Sequence, residues 1–86
     1  MTNTKLLEDK IKKSGKKKGY LAKKCGLSLA GFRNCMINKV NDKTGTISEF
    51  KASHIDILCD ELGITDLGER FLIFFAKRDA LNASTD

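Results

Sequence analysis

Arg33 and Asn34 are neighbours, and each can make a paired hydrogen bond to a flat partner. A guanidinium donates to both O6 and N7 of guanine, and a carboxamide pairs in the same two-point way with adenine. They follow Ser28, Leu29 and Ala30, and Ile37 lies one helical turn beyond Arg33. Serine can bond a base edge, and the aliphatic side chains suit a thymine methyl group. A helix carrying this set would present an array for reading base edges.

Little else in the chain carries chemistry. Cys25, Cys35 and Cys59 are odd in number, none makes a Cys-x-x-Cys pair, and His54 is the sole histidine. A structural zinc site needs four ligands at loop-type spacing, so no metal is expected and the cysteines read as reduced core residues. His54 reads as an exposed polar residue near a helix start. There is no glycine-rich phosphate loop and no nucleophile–base constellation. The expectation is therefore no catalytic residue, no cofactor, no enzyme activity and no small-molecule substrate.

The elements that would position Arg33 and Asn34 are legible around Gly26. The segment Leu21-Ala22-Lys23-Lys24-Cys25-Gly26-Leu27-Ser28 has a small residue four positions before a glycine. Two helices crossing at a sharp angle leave room for only a methyl group where they touch, which Ala22 supplies. Gly26 can take positive φ and end the first helix, while Cys25 and Leu27 point back into the core. Ser28 can cap the second helix, an effect of about 1 kcal/mol. Phe32, Cys35 and Met36 then share one face, opposite the base-reading residues. This is the layout of a helix-turn-helix, whose second helix enters the DNA major groove. Gly31 weakens that second helix, a cost that a close approach of its backbone to DNA would explain. Two helices joined by a glycine turn also fit any small α-helical protein, and charge separates the two readings.

The net charge of +5 hides a division. Residues 1–51 hold 13 Lys and Arg against 4 Asp and Glu, and residues 52–86 hold 3 against 7. The basic half coincides with the helix-turn-helix, as an electrostatic footprint for phosphates would, and the acidic half would face away from DNA. Lys16, Lys17, Lys18, Lys39, Asn41 and Lys43 are the expected phosphate contacts. Lys16 to Lys18 also place positive charge at the start of a helix, against its dipole. That turn, weakened further by Gly19, is expected to be loose until a phosphate orders it.

At 86 residues the chain is one domain with a small core. It divides into a helix-turn-helix domain over 1–78 and a frayed, disordered tail over 79–86. Helix one is predicted over Thr4–Ser14, with Leu6, Leu7 and Ile11 inward and Glu8–Lys12 and Asp9–Lys13 as surface pairs. Helix two spans about Lys17–Cys25 and helix three about Leu29–Asn38. A polar loop covers 39–51, where Val40 and Ile47 can form a small hairpin about Asn41-Asp42-Lys43-Thr44-Gly45. Ser53-His54-Ile55-Asp56 reads as a capping box opening helix four, which Gly63 closes. Helix five runs from Thr65 or Asp66 to about Lys77 and is too apolar for one face. Leu67, Phe71, Phe74 and Phe75 form one stripe, and Leu72, Ile73 and Ala76 another. Either the helix is almost wholly buried, or Leu72, Ile73 and Ala76 form a two-fold contact between copies, which would suit a symmetric operator. No run is apolar enough to cross a membrane, and the N-terminus lacks the apolar core of a secretory signal, so a cytoplasmic protein is expected.

Over about residues 4–64 the chain resembles the Cro/repressor class of helix-turn-helix proteins. It is similar in particular to small Cro-type proteins of phages and prophages of low-GC Gram-positive bacteria. The residues that carry this are Gly26-Leu27-Ser28 with Phe32, Glu49-Phe50-Lys51-Ala52-Ser53 with Ile55, and Ile73-Phe74-Phe75-Ala76. The resemblance implies an all-α, five-helix, lambda-repressor-like domain that binds double-stranded operator DNA as a homodimer and regulates transcription. Lys18 matches the family's phosphate-binding helix start, and Ser28, Leu29, Ala30, Arg33 and Asn34 its base-reading positions. The chain departs from the pattern at Lys17, where a Thr or Ser cap is usual. It departs also in a longer 39–48 loop and in the apolar Leu29 and Ala30. The rival expectation is a protein-binding module of antirepressor or antitoxin type that uses helix five.

Overall fold

A computed structural model describes residues 1–76. Over these residues the chain forms five α-helices: α1 (Thr4–Ser14), α2 (Lys18–Lys24), α3 (Leu29–Met36), α4 (Ala52–Leu62) and α5 (Leu67–Phe74). The one β feature among them is an antiparallel bridge between Val40 and Ile47, where the loop composition predicts a small hairpin. No helix among the described residues is long and apolar enough to cross a membrane. The tail over 79–86 and the predicted last residue of helix five, Lys77, lie outside the described residues.

The core assembles from one stripe on each helix. Leu7 and Ile11 of α1, Leu21 and Ala22 of α2, and Phe32, Cys35 and Met36 of α3 are buried. They close on Ile55, Leu58 and Cys59 of α4 and on Ile73 and Phe74 of α5. Helix α4 touches both α1 and α2. Phe50, which precedes α4, meets Phe32 edge-on at 5.4 Å between centroids and Phe74 at 6.0 Å. One ring thus joins α3 to α5, and each such aromatic pair adds about 0.5–1.5 kcal/mol beyond area burial.

Helix ends follow local chemistry. Asn3 caps α1 by accepting from the Leu6 N–H, Ser28 caps α3 by accepting from Gly31, and Asp66 caps α5 by accepting from Glu69. Three helices close with the same pair of bonds. After α2, Leu27 N–H donates to the Ala22 carbonyl at 2.9 Å and Gly26 N–H to Lys23, with Gly26 at φ 73°. After α3 the donors are Lys39, to Asn34, and Asn38, to Cys35; Asn38 takes φ 54°. After α4 they are Ile64, to Cys59, and Gly63, to Asp60. A residue in the left-handed region followed by a back-bond is how helices commonly satisfy their last carbonyls. Asparagine visits that region more readily than other residues with a Cβ.

Several expectations are corrected here. Helix three ends at Met36, because Asn38 turns the chain. The cap of helix four lies two residues before the expected Ser53: Lys51 is the N-cap, and its N–H donates to His54 Nδ1 at 3.2 Å. His54 is thus a half-buried capping ring, stacked edge-on against Phe50, rather than an exposed residue. Asp56 pairs with Arg70 at 3.0 Å instead of capping. Glu8 turns to Lys18 at 2.6 Å, not to Lys12.

Helix five is corrected most. It ends at Phe74, and its buried stripe is Ile73 and Phe74 with half-buried Arg70. Ile73, expected at a contact between copies, is 1% exposed and belongs to the core. Leu72 is 62% exposed and Ala76 half-buried. Leu67, Phe71 and Phe75 face outward, and the rings of Phe71 and Phe75 stack at 5.9 Å. An arginine stem can lie along apolar surface while its head reaches solvent, so Arg70 takes a place that the apolar pattern assigns to phenylalanine.

Candidate nucleic-acid interface

Helix α3 is divided cleanly by exposure. Phe32, Cys35 and Met36 anchor its inner side in the core. Ser28, Leu29, Ala30, Arg33 and Ile37 are exposed, and Asn34 is half-buried. Five of the six expected base-reading residues therefore stand in solvent around a helix whose back is fixed. The helix is held at both ends, by the Ser28 hydroxyl on Gly31 N–H at 3.0 Å and by the Asn38 turn. The Gly31 Cα also lies close to that cap: a Cβ there would sit 3.2 Å from Ser28 Oγ. This contact gives the glycine a reason internal to the fold.

Asn38 is a fixture that sequence reading missed. Its side chain accepts from Thr2 N–H and donates to the Thr2 carbonyl, both at 2.8 Å. Thr4 Oγ1 donates to the Met36 carbonyl, and Asn3 N–H donates to the Ile73 carbonyl. The first residues thus tie the end of α3 to α5. An asparagine at the last position of the predicted helix three, a residue type that tolerates the left-handed region, was the available signal.

The expected phosphate contacts fall into two groups. Lys17, Lys39, Asn41 and Lys43 are exposed, and the three lysines make no ion pair among the described residues. Lys39, Asn41 and Lys43 share one concavity with Asn34, Val40 and Ser48. Lys16 and Lys18 are engaged internally. Lys18 Nζ sits 2.6 Å from Glu8. Lys16 Nζ donates to both the carboxylate and the main-chain carbonyl of Glu61 at 2.6 Å. The Tyr20 hydroxyl also donates to Glu61, and the Lys16 and Lys24 ammonium groups lie over the Tyr20 ring at 5.9 and 5.6 Å. Helix α2 opens at Lys18, and of the three lysines around its start Lys16 and Lys18 have acidic partners.

The Lys16 bond holds the Glu61 carboxyl below the usual carboxylate range, and the same bond raises Lys16. A depressed carboxylate stabilises the fold above its unfolded pKa, about 4.3, and that contribution is lost as pH falls through the folded value. Lys16→Met is therefore expected to lower the urea midpoint at pH 7, with the deficit closing at acid pH. The variant should leave the salt dependence of any DNA binding unchanged. A salt slope reduced by about one would return Lys16 to the phosphate contacts.

Burial pushes all three cysteine thiols up, so they stay protonated and serve as packing groups. Cys25 Sγ points at the His54 carbonyl at 3.9 Å. Among the described residues no three His, Cys, Asp or Glu side chains are grouped to hold a metal ion. No protein-family model, curated protein or solved structure matches this chain.

Proposed function

We propose that this protein is a sequence-specific regulator of transcription that binds double-stranded operator DNA in the cytoplasm. In this reading its domain is lambda-repressor-like, of the Cro/repressor kind, with α2 and α3 as the helix-turn-helix. Helix α3 lies in the major groove. Arg33 pairs with a guanine, Asn34 with an adenine, Ser28 bonds a base edge, and Leu29, Ala30 and Ile37 touch thymine methyl groups. Lys17, Lys18, Lys39, Asn41 and Lys43 hold phosphates and fix the register.

The observation that carries this reading is the outer side of α3. A solvent-facing set of side chains suited to base edges sits on a helix pinned in the core and at both ends, beside lysines without ion partners among the described residues. Such a helix loses little freedom on docking, which favours affinity. A homodimer completes the proposal. The outward Leu67, Phe71 and Leu72 of α5, with Phe75 at its C-cap, form an apolar surface that a two-fold partner would cover. That same surface favours the second reading, a module whose partner is another protein docking on α5.

Selection of duplexes from a random pool at moderate salt separates these readings. The expected result is a palindromic motif whose half-sites lie about one helical turn, roughly 34–36 Å, apart. Arg33→Ala should then relax one or two base pairs per half-site, at about 1–3 kcal/mol each, and Lys43→Ala should weaken all sequences alike. A uniform loss for both variants would remove Arg33 as a base reader. Retention without a motif would mean a non-specific binder, and no retention would favour the protein-binding module.

A further inference from the structure

We infer that Asn38 is a positioning residue for base reading, which with the strap of residues 1–4 sets where the last turn of α3 stands against the bases; this rests on the DNA-binding reading above. Both peptide groups beside Thr2 are bonded at each end. The Met1 carbonyl accepts from Ala76 N–H at 2.9 Å, and Asn3 N–H donates to the Ile73 carbonyl at 2.6 Å. The Asn38 carboxamide takes the two groups that remain, the Thr2 N–H and the Thr2 carbonyl, both at 2.8 Å. The strap is thus paired on one side with the end of α5 and on the other with a single side chain. A further tie is the Thr4 hydroxyl, which donates to the Met36 carbonyl at 2.6 Å. The Met36 and Ile73 carbonyls lie in the last turns of α3 and α5, where no partner exists within the helix.

The residue type at position 38 points to the clamp rather than to the turn alone. Among the described residues the others with positive φ are Gly15, Gly26, Gly45 and Gly63. A glycine after α3 would meet the same backbone demand without a Cβ. Asparagine adds a carboxamide, which accepts from an N–H and donates to a carbonyl at once. Thr2 is 2% exposed, so removing the carboxamide leaves two buried backbone groups without partners. The residues on either side of Asn38 hold the two paired base readers. Ile37 N–H donates to the Arg33 carbonyl at 3.1 Å, and Lys39 N–H to the Asn34 carbonyl at 2.9 Å. A shift at Asn38 is therefore passed to Arg33 and Asn34, whereas Leu29 and Ala30 are set by the Ser28 cap at the far end. Two-point bonds to a base tolerate little displacement, since recognition groups must be held to within about 0.5 Å.

The test measures the affinity of the full chain for the selected operator and for single-base-pair changes of it, below the melting range of every variant. Arg33→Ala and Leu29→Ala first mark the base pairs that face each end of α3. Asn38→Gly then keeps the turn and removes the clamp. At the base pairs marked by Arg33→Ala its penalty for a wrong base should fall at least about fivefold, the low end of what one paired contact supplies. At those marked by Leu29→Ala the penalty should stand, and the salt slope should not change. Thr4→Val removes the separate Met36 tie and should relax the same base pairs to a smaller extent. Weakening of every operator alike, in step with the melts, would make Asn38 merely structural and overturn the positioning role. Amide exchange on the free protein gives a second readout. The Thr2 amide should be protected in the wild type and exposed in Asn38→Gly, and a Thr2 amide unprotected in the wild type would overturn the strap. Selection without a motif would overturn the DNA reading and the positioning role together. A motif that Asn38→Gly still discriminates in full would overturn the positioning role alone.

Discussion

Phe32→Ala is expected to remove about 3–5 kcal/mol of stability, the range for truncating a large buried aromatic. Phe32 is fully buried on the inner side of α3 and meets Phe50, which in turn meets Phe74. The substitution leaves a cavity between α3 and the start of α4 and breaks the first link of an aromatic chain that reaches α5. A domain of this size has a total stability of only about 4–13 kcal/mol, taking roughly 0.05–0.15 kcal/mol per residue. One side chain therefore accounts for a large share of the fold. Thermal melts followed by far-UV circular dichroism should show a midpoint lowered by tens of degrees, or no cooperative transition. Phe32→Leu keeps most of the volume and should retain a cooperative melt at a lower midpoint. A wild-type midpoint for Phe32→Ala would mean that this ring does not hold α3 against the core. The effect reaches function because the outer residues of α3 keep their places only while Phe32, Cys35 and Met36 hold its back.

The second large effect is on DNA binding and salt. Each lysine that meets a phosphate releases a condensed counterion, and log K falls with log salt at about 0.9 per contact on duplex DNA. On the proposed reading, Lys17, Lys18, Lys39 and Lys43 would give four such contacts per protomer and eight in a dimer. Raising salt from about 50 to 200 mM should then weaken binding on the order of 10⁴-fold. Filter binding or fluorescence anisotropy over that range measures it. A slope near zero on every duplex would remove DNA as the partner and turn attention to the apolar side of α5. A slope near half the expected value would mean that one protomer, not two, engages the site. Lys18 is informative within this set. Its ammonium must leave Glu8, now at 2.6 Å, to meet a phosphate, so Lys18→Ala should change the slope less than Lys43→Ala does.

Much of the arrangement was legible because it is local. Helix α1 spans the predicted residues, since the apolar spacing of Leu7 and Ile11 and the glycine after Ser14 all act within a few positions, although Leu6, expected inward with them, is exposed. The turn at Gly26 and the Ser28 cap are backbone chemistry within four residues. The split of α3 into a buried side and an outer side follows from 3.6-residue periodicity alone. Even the Val40–Ile47 bridge was marked by two β-branched residues flanking turn formers.

What went astray depends on residues distant in the chain. Lys16 reads as a solvent-facing cation until Glu61, on another helix, takes its ammonium. The start of α4 lies earlier than expected, just after Phe50, whose ring sits between Phe32 and Phe74. The helix begins directly behind that ring, where His54 can accept the Lys51 N–H. On α5 the spacing offers two apolar stripes, and nothing in the chain order says which is inward.

The amino-acid sequence by itself determined the presence of five helices, the glycine ends at Gly15, Gly26 and Gly63, the outward set Ser28, Leu29, Ala30, Arg33 and Ile37, and the division of charge. Propensity, capping and periodicity act over a turn or two and need no partner. Only the tertiary structure decided that Ile73 is core while Phe71 and Phe75 face solvent. It alone decided that Lys16 and Lys18 are paired while Lys39 and Lys43 have no ion partner among the described residues, and that Asn38 clamps Thr2. Burial and ion pairing are properties of what lies opposite a side chain, and in a small helical core the neighbour opposite is set by packing rather than by position along the chain.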